Sequence, residues 1–241
     1  MEPSEYIATI ESDSDALIAA AASVPQDNPV AVCEGWTVRD LVAHVGMVWG
    51  RAADAVASGE LAPPTTKHTP PEDPDQLISW VSGMRDHLTD SLGSAEPDAP
   101  AWNFTDGSHT AGWWQRRMSI ETMLHRWDAE SVAMNITPMF ADRAADAIQE
   151  YTEVALRYSA AKPNRVYPSK SLHLHCSDTV GEWMLVGDDG PNFTVTNEHG
   201  KGDAAVRGQA EEVLLWIWGR PGEVEIFGDE SVAATWRALA P

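Results

Sequence analysis

A change of hydrophobic period divides the 241-residue chain and constrains its fold more than any other feature. In the first two thirds, apolar residues recur at the spacing of helices. From Ser171 to Cys176 they alternate with period two, which is typical of a half-buried strand. The pattern therefore predicts a helical domain over residues 1–162, followed by a small α+β domain over residues 163–241.

The helical part carries the start and stop signals of four or five long helices. Thr37, followed three residues later by Asp40, is a variant of the capping box, and the helix that it opens ends before Gly59. Thr137-Pro138 is a cap followed by proline, which predicts a fifth helix running to about Ala160. Long helices joined by two long loops predict a four-helix bundle with at least one crossover connection.

The C-terminal third contains short apolar runs separated by glycine-rich turns. Strands are predicted over residues 171–176, 182–186, 193–196 and 224–227, a helix over residues 209–219, and a closing helix capped by Asp229. The fold class is therefore α+β overall.

The net charge of −21 at pH 7 disfavours several kinds of partner. It repels nucleic-acid phosphates and anionic lipid headgroups, so we expect neither a nucleic acid nor a membrane as partner. Apolar runs are too short to span a bilayer, and the acidic start of the sequence is unlike a signal peptide. The only cysteines, Cys33 and Cys176, are too few for a disulfide framework, which favours a cytoplasmic location.

A candidate metal site involves two predicted helices. Glu121 and His125 are four residues apart, so their side chains share one helix face. His44, in the middle of the second helix, has small or apolar neighbours and is expected to point into the bundle. Two histidines and one glutamate suit a zinc-like ion and leave a fourth position open, as catalytic sites do. Taken alone, each feature also fits an ordinary solvated helix face or a core histidine.

Three segments resemble one known family. Glu34–Val45 is similar to the N-terminal signature of the DinB-like, mycothiol-dependent maleylpyruvate isomerases, and Met118–Asp128 resembles their second signature. Val206–Arg220 resembles the small second domain of that family, which is similar to sterol-carrier-type α+β folds. The likeness covers nearly the whole chain in the same order. Residues 60–110 are not matched, so the resemblance leaves the substrate open.

The resemblance implies that His44, Glu121 and His125 bind zinc (Zn²⁺), and that the cosubstrate is the thiol mycothiol. A metal-bound thiolate would then attack a small electrophilic substrate, either to isomerise a cis double bond or to stay attached as in S-transfer. The resemblance also implies that Arg220 reaches the cleft as a catalytic or substrate-binding residue. Arg220 has a second interpretation, because an arginine after Gly219 also suits a helix C-terminus.

Two other functions use the same residues differently. In a metal-dependent hydrolase, water would take the fourth position on the ion. In a non-catalytic binding protein, the metal would be structural and the C-terminal domain would hold a small apolar ligand. The sequence does not indicate an oligomeric state.

Further residues have open roles in the sequence. His173 and His175, two apart on a strand, form either a ligand pair or part of an exposed strand face. Cys33 is either a nucleophile or a buried side chain that only fills space in the core. Asp128 either orients a metal ligand such as His125 or pairs on the surface near Arg126.

Overall fold

The computed structural model describes residues 2–158 and 164–241. Two compact units divide the chain, Met1–Thr137 and Pro138–Pro241. The boundary predicted near Lys162 and the helix end predicted near Ala160 lie outside the described residues. Among the described helices, none combines the length and the apolar character needed to cross a bilayer.

The first unit contains four long helices. They are α1 (Pro3–Ala22), α2 (Val38–Ser58), α3 (Leu77–Ser94) and α4 (Ala111–Ala133), with a short 3-10 helix (Pro74–Gln76) before α3. Helix α1 packs mainly against α4, and α2 mainly against α3, whereas α1 and α2 contact each other much less. Two pairs of sequence neighbours, α1 with α2 and α3 with α4, thus barely contact each other, as expected for a bundle with a crossover. The predicted helical bundle is confirmed.

The start of α2 is fixed by the predicted capping box. The hydroxyl of Thr37 accepts from the backbone N–H of Asp40, while the Asp40 carboxylate accepts from the backbone N–H of Thr37. These bonds satisfy two N–H groups that have no partner inside the helix. At the other end, Gly59 adopts φ 64°, a left-handed conformation that glycine takes without steric cost. Both predicted ends of α2 are confirmed.

Between α4 and α5 the structure departs from the prediction. Helix α5 spans Ala141–Glu150 and has Phe140, not Thr137, at its N-cap. Both the backbone N–H and the hydroxyl of Thr137 donate to the carboxylate of Glu130, at 2.8 and 3.0 Å. The prediction that Thr137 caps the fifth helix is wrong, because its hydrogen-bonding groups belong to the end of α4 instead.

The second unit is an α+β domain. After α5 come a π-helical stretch (Tyr151–Ala155) and the short α6 (Leu156–Tyr158). The strands are β1 (Leu172–Cys176), β2 (Glu182–Gly187), β3 (Phe193–Thr196), β4 (Ala204–Gly208) and β5 (Glu225–Gly228), with α7 (Ala210–Ile217) and α8 (Glu230–Arg237). Helix α5 packs against α7, which is why it belongs to this unit.

The five strands form one mixed sheet in the order β3-β2-β1-β4-β5. Only the pairing of β1 with β4 is parallel within the described sheet. Strand β4 was not predicted, because its sequence Ala-Ala-Val-Arg-Gly is poor in β-branched and aromatic residues. Its pairing between β1 and β5 makes it a strand despite this low propensity.

Candidate metal centre

Three side chains predicted as metal ligands come together between α2 and α4. The Nε2 atoms of His44 and His125 each lie 3.2 Å from the same oxygen of Glu121, Oε1. One ligand atom from each of the three residues lies within 4.8 Å of the other two. We call His44, Glu121 and His125 the bundle cluster.

Contacts on both sides of α2 hold His44 in register with α4. The buried indole N–H of Trp49 donates to the hydroxyl of Thr122, next to Glu121, over 3.0 Å. On the α3 side, Gly46 lies so close to the Trp80 ring that a Cβ there would come within 2.3 Å of it. Because both contacts are specific, a shift of α2 along its axis would break them, and His44 is fixed opposite Glu121.

The carboxylate of Glu121 divides its two oxygens between different partners. Oε1 faces the two histidines, while Oε2 pairs with the guanidinium of Arg117, one turn earlier on α4. Burial opposes ionisation of Glu121, but the charges of Arg117 and His125 outweigh it and hold its pKa well below the usual value. Arg117 was missed in the sequence, although its i−4 spacing from Glu121 is a usable signal.

A contact at Nδ1, the ring nitrogen that does not face Glu121, orients the imidazole of His125. Its Nδ1 lies 2.9 Å from Oδ2 of Asp128, a fully buried carboxylate. This contact matches the orienting role that the sequence offered for Asp128. Burial lowers the pKa of His125, but Glu121 and Asp128 more than offset this and raise it to about 9. Without a metal the ring therefore carries a proton at neutral pH, which a metal ion would displace.

Aromatic and sulfur groups complete the surroundings. The ring of Trp36 lies 4.9 Å from that of His44 and 6.3 Å from that of His125, centroid to centroid, and so covers both imidazoles. The thiol of Cys33 lies 3.7 Å from Asp128 Oδ2, and a neighbouring carboxylate disfavours a nucleophilic thiolate. The His44 side chain is 33% exposed, so solvent reaches the bundle cluster on the side of His44.

The donors of the bundle cluster fit a zinc-type ion. Two imidazole nitrogens and one carboxylate oxygen are the protein ligands of many catalytic zinc sites, in which a fourth position takes water or substrate. Each ligand on α4 also bonds to a second side chain through the atom that faces away from the other ligands. Asp128 contacts His125, and Arg117 contacts Glu121. Such outer partners orient the donors before the ion arrives.

Arg220 follows α7 in the second unit. Its side chain is buried, its Nη1 donates to the carbonyl of Trp218 at 3.0 Å, and its guanidinium lies 5.8 Å from the Trp218 ring. Gly219, at φ 79°, turns the chain so that the backbone N–H of Arg220 reaches the carbonyl of Leu215. These contacts match the helix-closing interpretation. That Arg220 also reaches a substrate stays a prediction.

The other candidates lie in the second unit. His173 and His175 lie on β1 and contact Glu182, so they belong to a carboxylate-centred cluster, taken up below. The buried thiol of Cys176 has its pKa raised to about 12 by desolvation and by the charge of Asp178. It is therefore protonated at neutral pH and unsuited to nucleophilic attack.

Two family models together cover almost the whole chain. Residues 7–130 match a model described as "Mycothiol maleylpyruvate isomerase N-terminal domain". Residues 128–235 match one described as "MDMPI C-terminal domain". No curated protein sequence matches the chain.

Two solved structures are similar to this chain over most of their length. A crystal structure of the mycothiol-dependent maleylpyruvate isomerase has a TM-score of 0.64 and 17% identity, and the match covers 94% of this chain and 93% of that one. A crystal structure of a histidine-to-alanine mutant of the mycothiol-dependent maleylpyruvate isomerase gives a TM-score of 0.63, 14% identity and the same coverage. At such identities the likeness establishes the fold.

Proposed function

The chain belongs to the mycothiol maleylpyruvate isomerase family, and from this premise we propose that it is a zinc-dependent enzyme that uses mycothiol. Its substrate would be a small electrophile with a conjugated cis double bond, or one that carries a leaving group. The observation that supports the zinc site best is the convergence of His44 Nε2 and His125 Nε2 on one oxygen of Glu121, each at 3.2 Å.

The residues of the bundle cluster would hold the ion through three donors. Zinc bound there would lower the pKa of a thiol placed in the remaining position and supply it as the thiolate. Two neutral imidazoles and one carboxylate leave the positive charge of Zn²⁺ only partly compensated, so the site favours an incoming anion. Arg117 would keep Oε2 of Glu121 occupied, which directs Oε1 alone to the ion.

The isomerisation chemistry balances without oxidant or reductant. The thiolate sulfur adds to one carbon of the conjugated double bond, and the electron pair moves to the carbonyl oxygen as an enolate. Rotation about the resulting single bond follows, and the pair then returns to expel the thiolate and form the trans product. In S-transfer, the thiolate instead displaces a leaving group and the new carbon–sulfur bond remains.

Arg220 is the residue that we assign to the substrate. A guanidinium forms paired hydrogen bonds with a carboxylate and stabilises the charge that develops on an enolate oxygen. Its burial and its position over the Trp218 ring restrict its rotamers, so little side-chain entropy remains to be lost on binding. This role rests on the family resemblance together with those contacts.

Turnover with and without thiol tests the proposed function. Purified protein is assayed for conversion of maleylpyruvate, as the cis substrate, to its trans isomer, with mycothiol present or omitted. We expect conversion only when mycothiol is present. Conversion that needs no thiol would overturn the proposal. Metal-dependent hydrolysis of the substrate without thiol would assign a hydrolase with water in the fourth position.

A further inference from the structure

A second group of metal-ligand side chains lies on the sheet of the second unit. It consists of His173 and His175 on β1, Glu182 on β2, and His199 between β3 and β4. One ligand atom from each of the four lies within 4.8 Å of the others. We call these four residues the sheet cluster. The proposed thiol chemistry uses none of them.

Strand geometry explains why three of these donors meet. Residues two apart on a strand point to the same face, so His173 and His175 share one side of β1. In the antiparallel pairing of β1 with β2, His175 lies directly opposite Glu182, and His173 is its diagonal neighbour. The three donors are therefore placed by backbone hydrogen bonds of the sheet, and the segment after β3 adds His199.

The four side chains surround the single carboxylate at distances suited to a metal. His175 Nδ1 lies 2.9 Å from Glu182 Oε1, His199 Nδ1 lies 3.0 Å from Oε2, and His173 Nε2 lies 3.6 Å from Oε2. A tetrahedral zinc ion with bonds of about 2.0–2.1 Å separates its donors by about 3.4 Å. The three imidazole centroids are 5.8 to 6.4 Å apart, so the rings enclose the carboxylate nearly symmetrically.

His173 supplies an independent indication of a ligand. The residue is only 5% exposed, and within residues 2–158 and 164–241 its Nε2 has no hydrogen-bond partner. Glu182 Oε2, at 3.6 Å, is too far for a hydrogen bond. A buried polar nitrogen that makes no hydrogen bond costs free energy, and a bond to a metal ion would remove that cost.

We propose that the sheet cluster is a second metal site, which binds a zinc-type divalent cation through His173, His175, Glu182 and His199. Four protein donors complete a tetrahedral shell, so this ion has a structural role and ties the segment after β3 to β1 and β2. A cavity of about 740 Å³ borders His175, Glu182 and His199 and gives the ion a path from solvent.

Zinc titration in a His125→Ala background tests this proposal without a contribution from the bundle cluster. The chelator-treated, full-length variant should bind one equivalent of Zn²⁺. Adding His199→Ala should weaken that binding by more than 10-fold, because loss of outer-shell partners alone costs about 10–100-fold. His199 is 82% exposed, so its replacement removes a ligand without opening a cavity in the core.

Glu198→Gln in the same background is the matched control. Glu198 is the exposed neighbour of His199 and lies outside the sheet cluster, so the variant removes a negative charge but no ligand. It should bind Zn²⁺ as the background does, and zinc addition should raise the Tm of both proteins by the same amount. His173→Gln should lose that rise as His199→Ala does. Absence of zinc binding in the background, or equal binding by His199→Ala and Glu198→Gln, would overturn the proposal.

Discussion

The bundle cluster and the sheet cluster offer similar donors but hold them differently. In the bundle cluster, the two ligands from α4 are also bonded to Arg117 and Asp128, and a tetrahedral ion held by the three donors would have one open position. In the sheet cluster, three histidines contact Glu182, the four donors would fill the shell of a tetrahedral ion, and His199 is largely exposed. The comparison shows what separates the two kinds of site. A reactive metal ion needs one open coordination position among firmly oriented ligands, whereas four protein ligands suit a structural ion.

The largest expected effect is loss of the bundle site in His125→Ala. We expect the protein purified without added metal to contain one equivalent less metal than wild type. We also expect thiol-dependent activity to fall more than 100-fold, since even outer-shell changes cost about 10–100-fold. Elemental analysis and turnover measure the two effects.

His87→Ala is the matched control for His125→Ala. His87 lies on α3 and also contacts a carboxylate, Asp54, at 2.8 Å, but it belongs to neither cluster. Its metal content and activity should stay at the wild-type level. Equal metal content in His125→Ala and wild type would show that the bundle cluster does not bind the metal.

Arg220→Gln separates substrate contact from metal binding. We expect kcat/KM to fall by about 100-fold, as when a single donor to a developing oxyanion is removed, while the metal content stays unchanged. Arg207→Gln changes an exposed arginine on β4 of the same unit and should leave kcat/KM unaltered. If Arg220→Gln loses thermal stability but keeps its kcat/KM, Arg220 only closes the helix.

Asp128→Asn tests the support behind the bundle cluster. The change keeps the shape of the side chain but removes the charge that faces His125 Nδ1, and we expect metal affinity to fall by about 10–100-fold. Zinc titration measures the fall, and Asp142→Asn, at the start of α5, serves as a control. If Asp128→Asn binds zinc as tightly as wild type, the contact of Asp128 with His125 does not strengthen metal binding, and the two clusters do not differ in this respect.

The smallest expected effect is a pH dependence of stability in the metal-free protein. Since the folded-state pKa of His125 is raised to about 9, its contribution is complete below the unfolded-state value of about 6.5 and is lost as pH rises through 9. The free energy of unfolding should therefore fall by about 2 kcal/mol between pH 7 and 9, relative to His125→Gln. Denaturant unfolding of chelator-treated proteins measures this difference. Parallel pH curves for the two proteins would contradict it.

Much of the bundle was readable from the sequence because its signals are local. The capping box of Thr37 and Asp40 and the stop at Gly59 act within one turn, and the structure has them where they were predicted. The spacing of Glu121 and His125 likewise sets a shared helix face. The meeting of His44 with these two was one of two interpretations that the residues allowed, and the family resemblance favoured it, because it depends on how α2 packs on α4.

The errors arose where longer-range contacts decide the structure. Thr137 has the residue type of a cap, yet its groups bond to Glu130 of the preceding helix. Strand β4 has weak local propensity and exists because β1 and β5 pair with it. Of the sheet cluster, the sequence indicated only His173 and His175. Glu182 joins them through the strand register, and His199 comes from a separate segment.

The chain separation of the bundle ligands has a further consequence. His44 and Glu121 are 77 residues apart in sequence, so a single ion bound by both closes a long loop and acts as a reversible cross-link between α2 and α4. A covalent bridge closing a loop of that length would destabilise the unfolded chain by about 4.5 kcal/mol through lost conformational entropy. Binding of metal would thus also stabilise the bundle itself, and depletion of the ion would lower its free energy of unfolding.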